Sequence, residues 1–165
     1  MTAEPTAPYL NIHATGLVLD GTGLLLRGPS GAGKSLLALE LLDRQAMLGG
    51  ASLLVADDRL DLTVRDGELQ MRAPEAIAGL LELRGRGIVS RPFVPEAPVH
   101  LVIDLVDELV RMVEEDQFET DLMGVTLPRC PVPRRGVIDS AHQLLLVEEA
   151  LRHLPRWRGF DQKTT

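Results

Sequence analysis

A chain of 165 residues has room for one domain with its own core, since domains most often run to roughly 100–150 residues. Its apolar share of 45% and charged share of 25% exclude disordered and fibrous classes, and with 3% aromatic residues the core has to be aliphatic. A formal net charge of −7 argues against nucleic-acid binding through a broad basic face, so any phosphate site must be local.

In chain order, residues 1–9 are polar and proline-containing and read as a loose tail, with one domain expected over 10–155 and a second loose tail at 156–165. Residues 13–28, HATGLVLDGTGLLLRG, form two apolar runs around Asp20-Gly21, a turn signal that predicts a hairpin. After Lys34, leucines and Ala38 fall on a helical pattern that Gly49-Gly50 would stop. The run SLLVA at 52–56 suits a central strand and ends in Asp57-Asp58. LDLTV and ELQMR, split by Arg65-Asp66-Gly67, predict a second hairpin. Pro74 suits the first turn of a helix over about 75–83, ended by Gly85 and Gly87. VHLVIDL at 99–105 reads as a buried strand, and Asp104 within it as a structural residue, a cap or a ligand. LPRCPVPRRG at 127–136 carries three prolines, which cannot donate ladder hydrogen bonds, and reads as a mobile loop or sheet edge. A last helix starts at Asp139 or Ser140 and turns Leu144, Leu145, Val147, Leu151 and Leu154 to the core.

A lone cysteine, Cys130, can form neither an internal disulfide nor a thiolate zinc site and fits a reducing compartment, where it reads as passive. No export signal and no run of about 18 apolar residues is present, so no membrane partner is expected and the cytoplasm is the default.

The stretch Gly28-Pro29-Ser30-Gly31-Ala32-Gly33-Lys34-Ser35 fits the phosphate loop G-x-x-x-x-G-K-[ST]. Glycines let successive N–H groups converge on one anion, and the following helix adds the positive end of its dipole. Lys34 is one of only two lysines, the other being Lys163. ATP with Mg²⁺ is the ligand this loop predicts. Phosphoryl transfer to a hydroxyl also needs a carboxylate to take the proton, and Asp57-Asp58 is the more informative candidate because adjacent carboxylates raise each other's pKa unless a cation or proton resolves the repulsion. His13 is a possible hydrogen-bonding partner for such an acid.

Three motifs in order, HATGLVLDGTGLLLRGPSGAGKSLLALELL, LLVADDRLDL and LLELRGRGIV, resemble the catalytic domain of the HPr kinase/phosphorylase family over about residues 13–151. The resemblance implies an α/β fold of the type shared with phosphoenolpyruvate carboxykinases, a mixed sheet with packed helices. It implies a serine kinase acting on the phosphocarrier protein HPr of the sugar phosphotransferase system, with phosphorolysis as the reverse reaction. It also implies site roles: Asp57 as proton acceptor, Asp58 near metal and phosphates, His13 supporting the catalytic Asp, Ser35 and Glu82 as Mg²⁺ ligands, and Arg84 near the active centre. Arg134 and Arg135 would sit on a mobile loop at 128–136 that closes on the phosphates. Full-length members carry an extra N-terminal domain, so the chain is similar to a shortened form found in some alphaproteobacteria, and members assemble as hexamers. Two rival readings remain on the residues alone, a small-molecule kinase with a phosphate loop and a non-catalytic nucleotide switch.

Overall fold

The structure is a computed structural model and describes residues 8–155. The expected tails fall outside these residues except for Pro8 and Tyr9, and Tyr9 already opens a strand, β1 (Tyr9–Ile12). The first hairpin follows as β2 (Ala14–Leu19) and β3 (Thr22–Arg27). Asp20 and Gly21 take φ of 45° and 77°, the left-handed pair that a two-residue hairpin turn needs, so Asp-Gly works here for a local steric reason. Helix α1 (Lys34–Met47) leaves the phosphate loop, and β4 (Ser52–Ala56) leads to the acidic doublet. The second hairpin is β5 (Leu60–Arg65) with β6 (Glu68–Arg72). Then come β7 (Leu80–Leu83), β8 (Gly87–Ser90), β9 (Glu96–Pro98), β10 (Leu101–Val106), β11 (Glu119–Leu122), β12 (Val125–Pro133) and α2 (Ser140–Arg152).

A six-stranded sheet in the order β11-β12-β10-β3-β2-β4 forms the middle layer, with β3, β10 and β12 parallel and the other pairs antiparallel. The helices cover one face. There Leu24, Leu26 and Ile103 pack with Leu37 and Leu41 of α1 and Val147 of α2. On the other face Leu25 and Val102 meet Leu62, Leu69 and Met71 of a four-stranded sheet, β1-β5-β6-β9. Strands covered on both faces have no polar side to alternate, which is why LLL in β3 and LVI in β10 read as continuous apolar runs. The two sheets touch closely at Gly23, whose N–H donates to His100 Nδ1 at 2.9 Å.

Four expectations are corrected. The helix over 75–83 does not form. A single 3₁₀ turn, Glu75–Ile77, is followed by Gly79 at φ 76°, and β7 then pairs antiparallel with β8 across the Arg84–Arg86 turn. Ala, Leu and Glu favour helix locally, but a left-handed glycine breaks the run and pairing with β8 takes the remainder. The segment LPRCPVP is no loop but most of β12, an interior strand. Its prolines are tolerated because β11 pairs only Val125–Pro128 and β10 only Arg129–Pro133, so each half of the strand has an open side on which a missing N–H costs no ladder bond. The SLLVA strand lies at the sheet edge rather than the centre, and its outer side is covered by backbone bonds from Leu54 N to Pro92 O and from Val94 N to Leu54 O, both 2.9 Å. Leu145 faces solvent at 63% exposure, whereas Val147, Leu151 and Leu154 are buried. Of the two candidate caps for α2, Asp139 is the one used, accepting from His142 N at 2.9 Å. Cys130 is buried and free.

Candidate active site

The phosphate loop links the end of β3 to the start of α1, so the backbone amides opening that helix stand beside the loop. Gly31 and Gly33 take φ of 82° and 95° with open space where a Cβ would stand, so conformation rather than crowding calls for glycine at both. Lys34 is buried and donates through Nζ to the carbonyls of Gly28 at 2.7 Å and Pro29 at 3.1 Å. These two neutral acceptors hold the ammonium within its own loop without neutralising it, which leaves its charge available to an anion.

Asp57 reaches the loop because of an irregularity in β4. Strict alternation would send Leu54 and Ala56 to the helix face and Val55 and Asp57 to the other. The pairing with β2 instead shifts register between Gly16 and Leu17, which oppose Ala56 and Leu54 and leave Val55 unpaired. Val55 and Ala56 therefore both face the second sheet, and Asp57 emerges toward α1. Gly16 beside the bulge is closely packed: a Cβ there would stand 2.6 Å from Met71 Sδ and 3.1 Å from Leu60 Cδ1 of the second sheet. Asp57, itself buried, accepts from Ser35 Oγ at 2.7 Å to Oδ1 and 2.9 Å to Oδ2, and from Thr15 Oγ1 at 2.9 Å. The Glu82 amide stands 3.5 Å from Asp57 Oδ2.

The residues meet around one cavity of about 390 Å³. Ser30 to Ser35 of the loop, Asp57, Asp58, Glu82, Arg84 and Arg135 all line it. The β7-β8 hairpin supplies Glu82 and Arg84, so the motif ELRGRG acts as a hairpin wall rather than a helix end. Arg135 is held by Glu40 of α1. Two of the expected residues stand outside the cavity lining. His13 lies 3.8 Å from Asp58 rather than beside Asp57, and both side chains are about two-thirds exposed at the mouth. Arg134 is drawn to Asp107 at 2.9 Å and does not line the cavity.

The donor set fits Mg²⁺ and a nucleotide together. Hydroxyl and carboxylate oxygens at Ser35, Asp57 and Glu82 are hard ligands, and Mg²⁺ usually takes few protein ligands beside water and phosphate. Among the described residues no cluster of three His, Cys, Asp or Glu could hold a metal by protein alone. The contacts of Thr15 and Glu40 with site residues were not legible, because they depend on strand register and on where the loop between β12 and α2 passes α1. The one available signal for Thr15 is a hydroxyl in an otherwise aliphatic strand, two residues after His13.

The family model described as the HPr serine kinase C-terminal domain matches residues 4–154. The chain belongs to this family. HPr kinase/phosphorylase of Bordetella pertussis is 34% identical to it over 94% of this chain and 52% of that protein. The enzyme of the same name from Clostridium beijerinckii is 40% identical over 81% of this chain and 46% of that one. The chain thus spans about half the length of the curated relatives it matches. Among solved structures, the Hpr(Ser) kinase/phosphatase of Coxiella burnetii superposes with a TM-score of 0.68 at 29% identity, covering 87% of this chain and 94% of that chain. An HPr kinase domain with a phosphate loop on a mixed α/β sheet is therefore the fold.

Proposed function

We propose that residues 10–155 form one kinase domain that transfers the γ-phosphoryl group of ATP to a seryl hydroxyl of the phosphocarrier HPr. The observation that carries this reading is the meeting of Lys34, Ser35 and Asp57 on one cavity, with a second carboxylate, Asp58, at its open mouth. The domain's relatives named as HPr kinase/phosphorylases support the choice of acceptor over a small metabolite or a silent switch.

In this reading the loop amides and Lys34 bind the triphosphate and hold it in line with the incoming serine. Mg²⁺, held by Ser35 and Glu82, would supply charge neutralisation at the outer phosphates. Asp57 takes the proton of the seryl O–H as that oxygen bonds to the γ-phosphorus and the bond to the bridging oxygen breaks, releasing ADP. Arg84 and Arg135 face the cavity and donate to phosphoryl oxygens as charge spreads over them. The exposed Asp58–His13 pair favours a second assignment within the same chemistry, in which Asp58 receives the proton. Phosphorolysis is the corresponding displacement in the other direction, with inorganic phosphate in the place of ADP. A phosphate oxygen bonds to the seryl phosphorus, the bond from that phosphorus to the seryl oxygen breaks, the base returns its proton to the seryl oxygen, and the pyrophosphate so formed is released. Substrates of this kind place the domain in the cytoplasm, and among the described residues no helix is long and apolar enough to cross a membrane. By the same resemblance the domain assembles as a hexamer, a state that light scattering reads directly.

The test is transfer from MgATP to purified HPr, read by mass spectrometry, in wild type and in Asp57→Asn and Asp58→Asn. The variant lacking the base is expected to lose about 10³-fold or more in kcat while MgATP affinity, read by calorimetry, stays within about threefold. Full activity in both variants would refute the mechanism, and label appearing only on small metabolites would refute the acceptor.

A further inference from the structure

We propose that Thr15 is a positioning residue that holds the Asp57-Asp58 doublet in its working orientation through one donated and one accepted hydrogen bond. The inference rests on the functional reading above and adds a residue to it. Thr15 is fully buried in β2, whose other residues are Ala, Gly, Leu and Val. A hydroxyl in such a strand is costly unless its hydrogen bonds are made. Here both directions are used: Oγ1–H donates to Asp57 Oδ1 at 2.9 Å, and Oγ1 lies 3.4 Å from the Asp58 N–H that it accepts from. Packing alone would be served by valine, which has nearly the same shape and suits a strand.

The geometry around the doublet explains why such a tie is needed. Asp58 sits at φ 69°, a left-handed conformation that Asp enters more readily than most residues but that still benefits from a tie to its surroundings. β4 ends at Ala56, which pairs with Gly16 beyond the bulge, so the ladder stops short of the doublet and does not fix Asp58. Of the two hydroxyls on the Asp57 carboxylate, that of Ser35 belongs to the phosphate loop and turns to a ligand when one binds. Thr15 has no such second duty. Its bond keeps Oδ1 fixed, and once Ser35 turns to its ligand, Oδ2, with the Glu82 amide 3.5 Å away, is the oxygen that takes a proton.

The experiment compares the full chain with Thr15→Val and Thr15→Ser, using MgATP and HPr. Thr15→Val is expected to lower kcat by about 10-fold or more with the KM for MgATP within about twofold, and Thr15→Ser to stay within about threefold of wild type. Hydrogen exchange at the Asp58 amide is the readout that does not need turnover: it should accelerate in Thr15→Val and not in Thr15→Ser. A folded Thr15→Val with kcat within about twofold of wild type overturns the proposal, as does a serine variant no better than the valine one. If Thr15→Val does not fold, Thr15→Cys, a weaker donor of similar size, replaces it with the same expectations. If wild type itself transfers nothing to HPr, the functional reading fails, and the exchange result alone decides: an unchanged Asp58 amide in the valine variant sinks the positioning role.

Discussion

Replacing Asp104 by Asn tests how the phosphate-loop strand is anchored on the face away from the helices. Asp104 on β10 accepts from Arg27 Nε and Nη2, both at 2.7 Å, and from Arg129 Nε at 2.5 Å. One carboxylate thus joins the last residue of β3 to β12, and the two arginines extend the network to Thr120 at 3.3 Å and to the Gln117 carbonyl at 3.0 Å. Its side chain is 14% exposed, and those of Arg27 and Arg129 are 27% and 17%, so the group is shielded but not dry. Removing one member of a buried ion pair costs about 3–5 kcal/mol, and partial exposure places this case near the lower end, about 3 kcal/mol. For a chain of this size that is a fall in Tm of roughly 6–12 °C. Burial pushes the Asp104 carboxyl up, but the hydrogen bonds and charges of Arg27 and Arg129 outweigh it and hold its pKa below the ordinary value of 3.8. A carboxyl lowered on folding contributes stability that is complete above its unfolded pKa and is lost as pH falls through the folded one. Urea unfolding should therefore show a gap between wild type and Asp104→Asn that is constant above about pH 5 and narrows as the pH falls below the ordinary carboxyl range. A gap under about 1 kcal/mol at neutral pH, or one that widens in acid, would show that the two arginines do not depend on this carboxylate.

Two other expectations follow from burial and close approach. Burial pushes the Cys130 thiol up to about 12 despite the nearby Arg129 charge, so thiolate is scarce at pH 8. A disulfide reagent should leave the folded protein unlabelled and react stoichiometrically in denaturant; rapid labelling of native protein refutes this. At Gly23 a Cβ would stand 1.8 Å from the Pro98 carbonyl oxygen, so Gly23→Ala must part the two sheets there. It is expected to cost about 3 kcal/mol or more, read as a lost or strongly lowered thermal transition, and a native-like melting temperature would contradict the packing.

What the sequence makes legible is local. Asp20-Gly21 and Arg65-Asp66-Gly67 produced their hairpins because a left-handed turn is decided within a few residues, and the phosphate loop announced itself because its glycines are needed for conformation. The misreadings share a different cause. In Leu80–Leu83 helix-favouring residues were overridden by a partner strand that starts at Gly87, and in Val125–Pro133 the prolines were harmless only because of where two neighbouring strands begin and end. Propensity is blind to both facts, since each is a property of pairing and not of the segment.

The site divides along the same line. Lys34, Ser35 and the doublet lie in short contiguous motifs, but what brings them together is a single unpaired residue, Val55. Had β4 kept its alternation, Asp57 would point to the second sheet, among Leu60, Leu62 and Met71, and the carboxylate would have neither Ser35 nor Thr15 as a donor. An uncompensated carboxylate in that aliphatic layer would cost several kcal/mol, so the fold and the acid constrain each other. The bulge moves Asp57 out of the apolar layer and into a set of hydroxyl and amide donors, and the same shift turns it to the cavity. Gly16, which pairs with Ala56 beside the bulge, also marks how closely the second sheet approaches there, because a Cβ would stand 2.6 Å from Met71 Sδ and 3.1 Å from Leu60 Cδ1. The aliphatic sheet and the polar cavity are thus joined through one glycine, one bulge and one threonine.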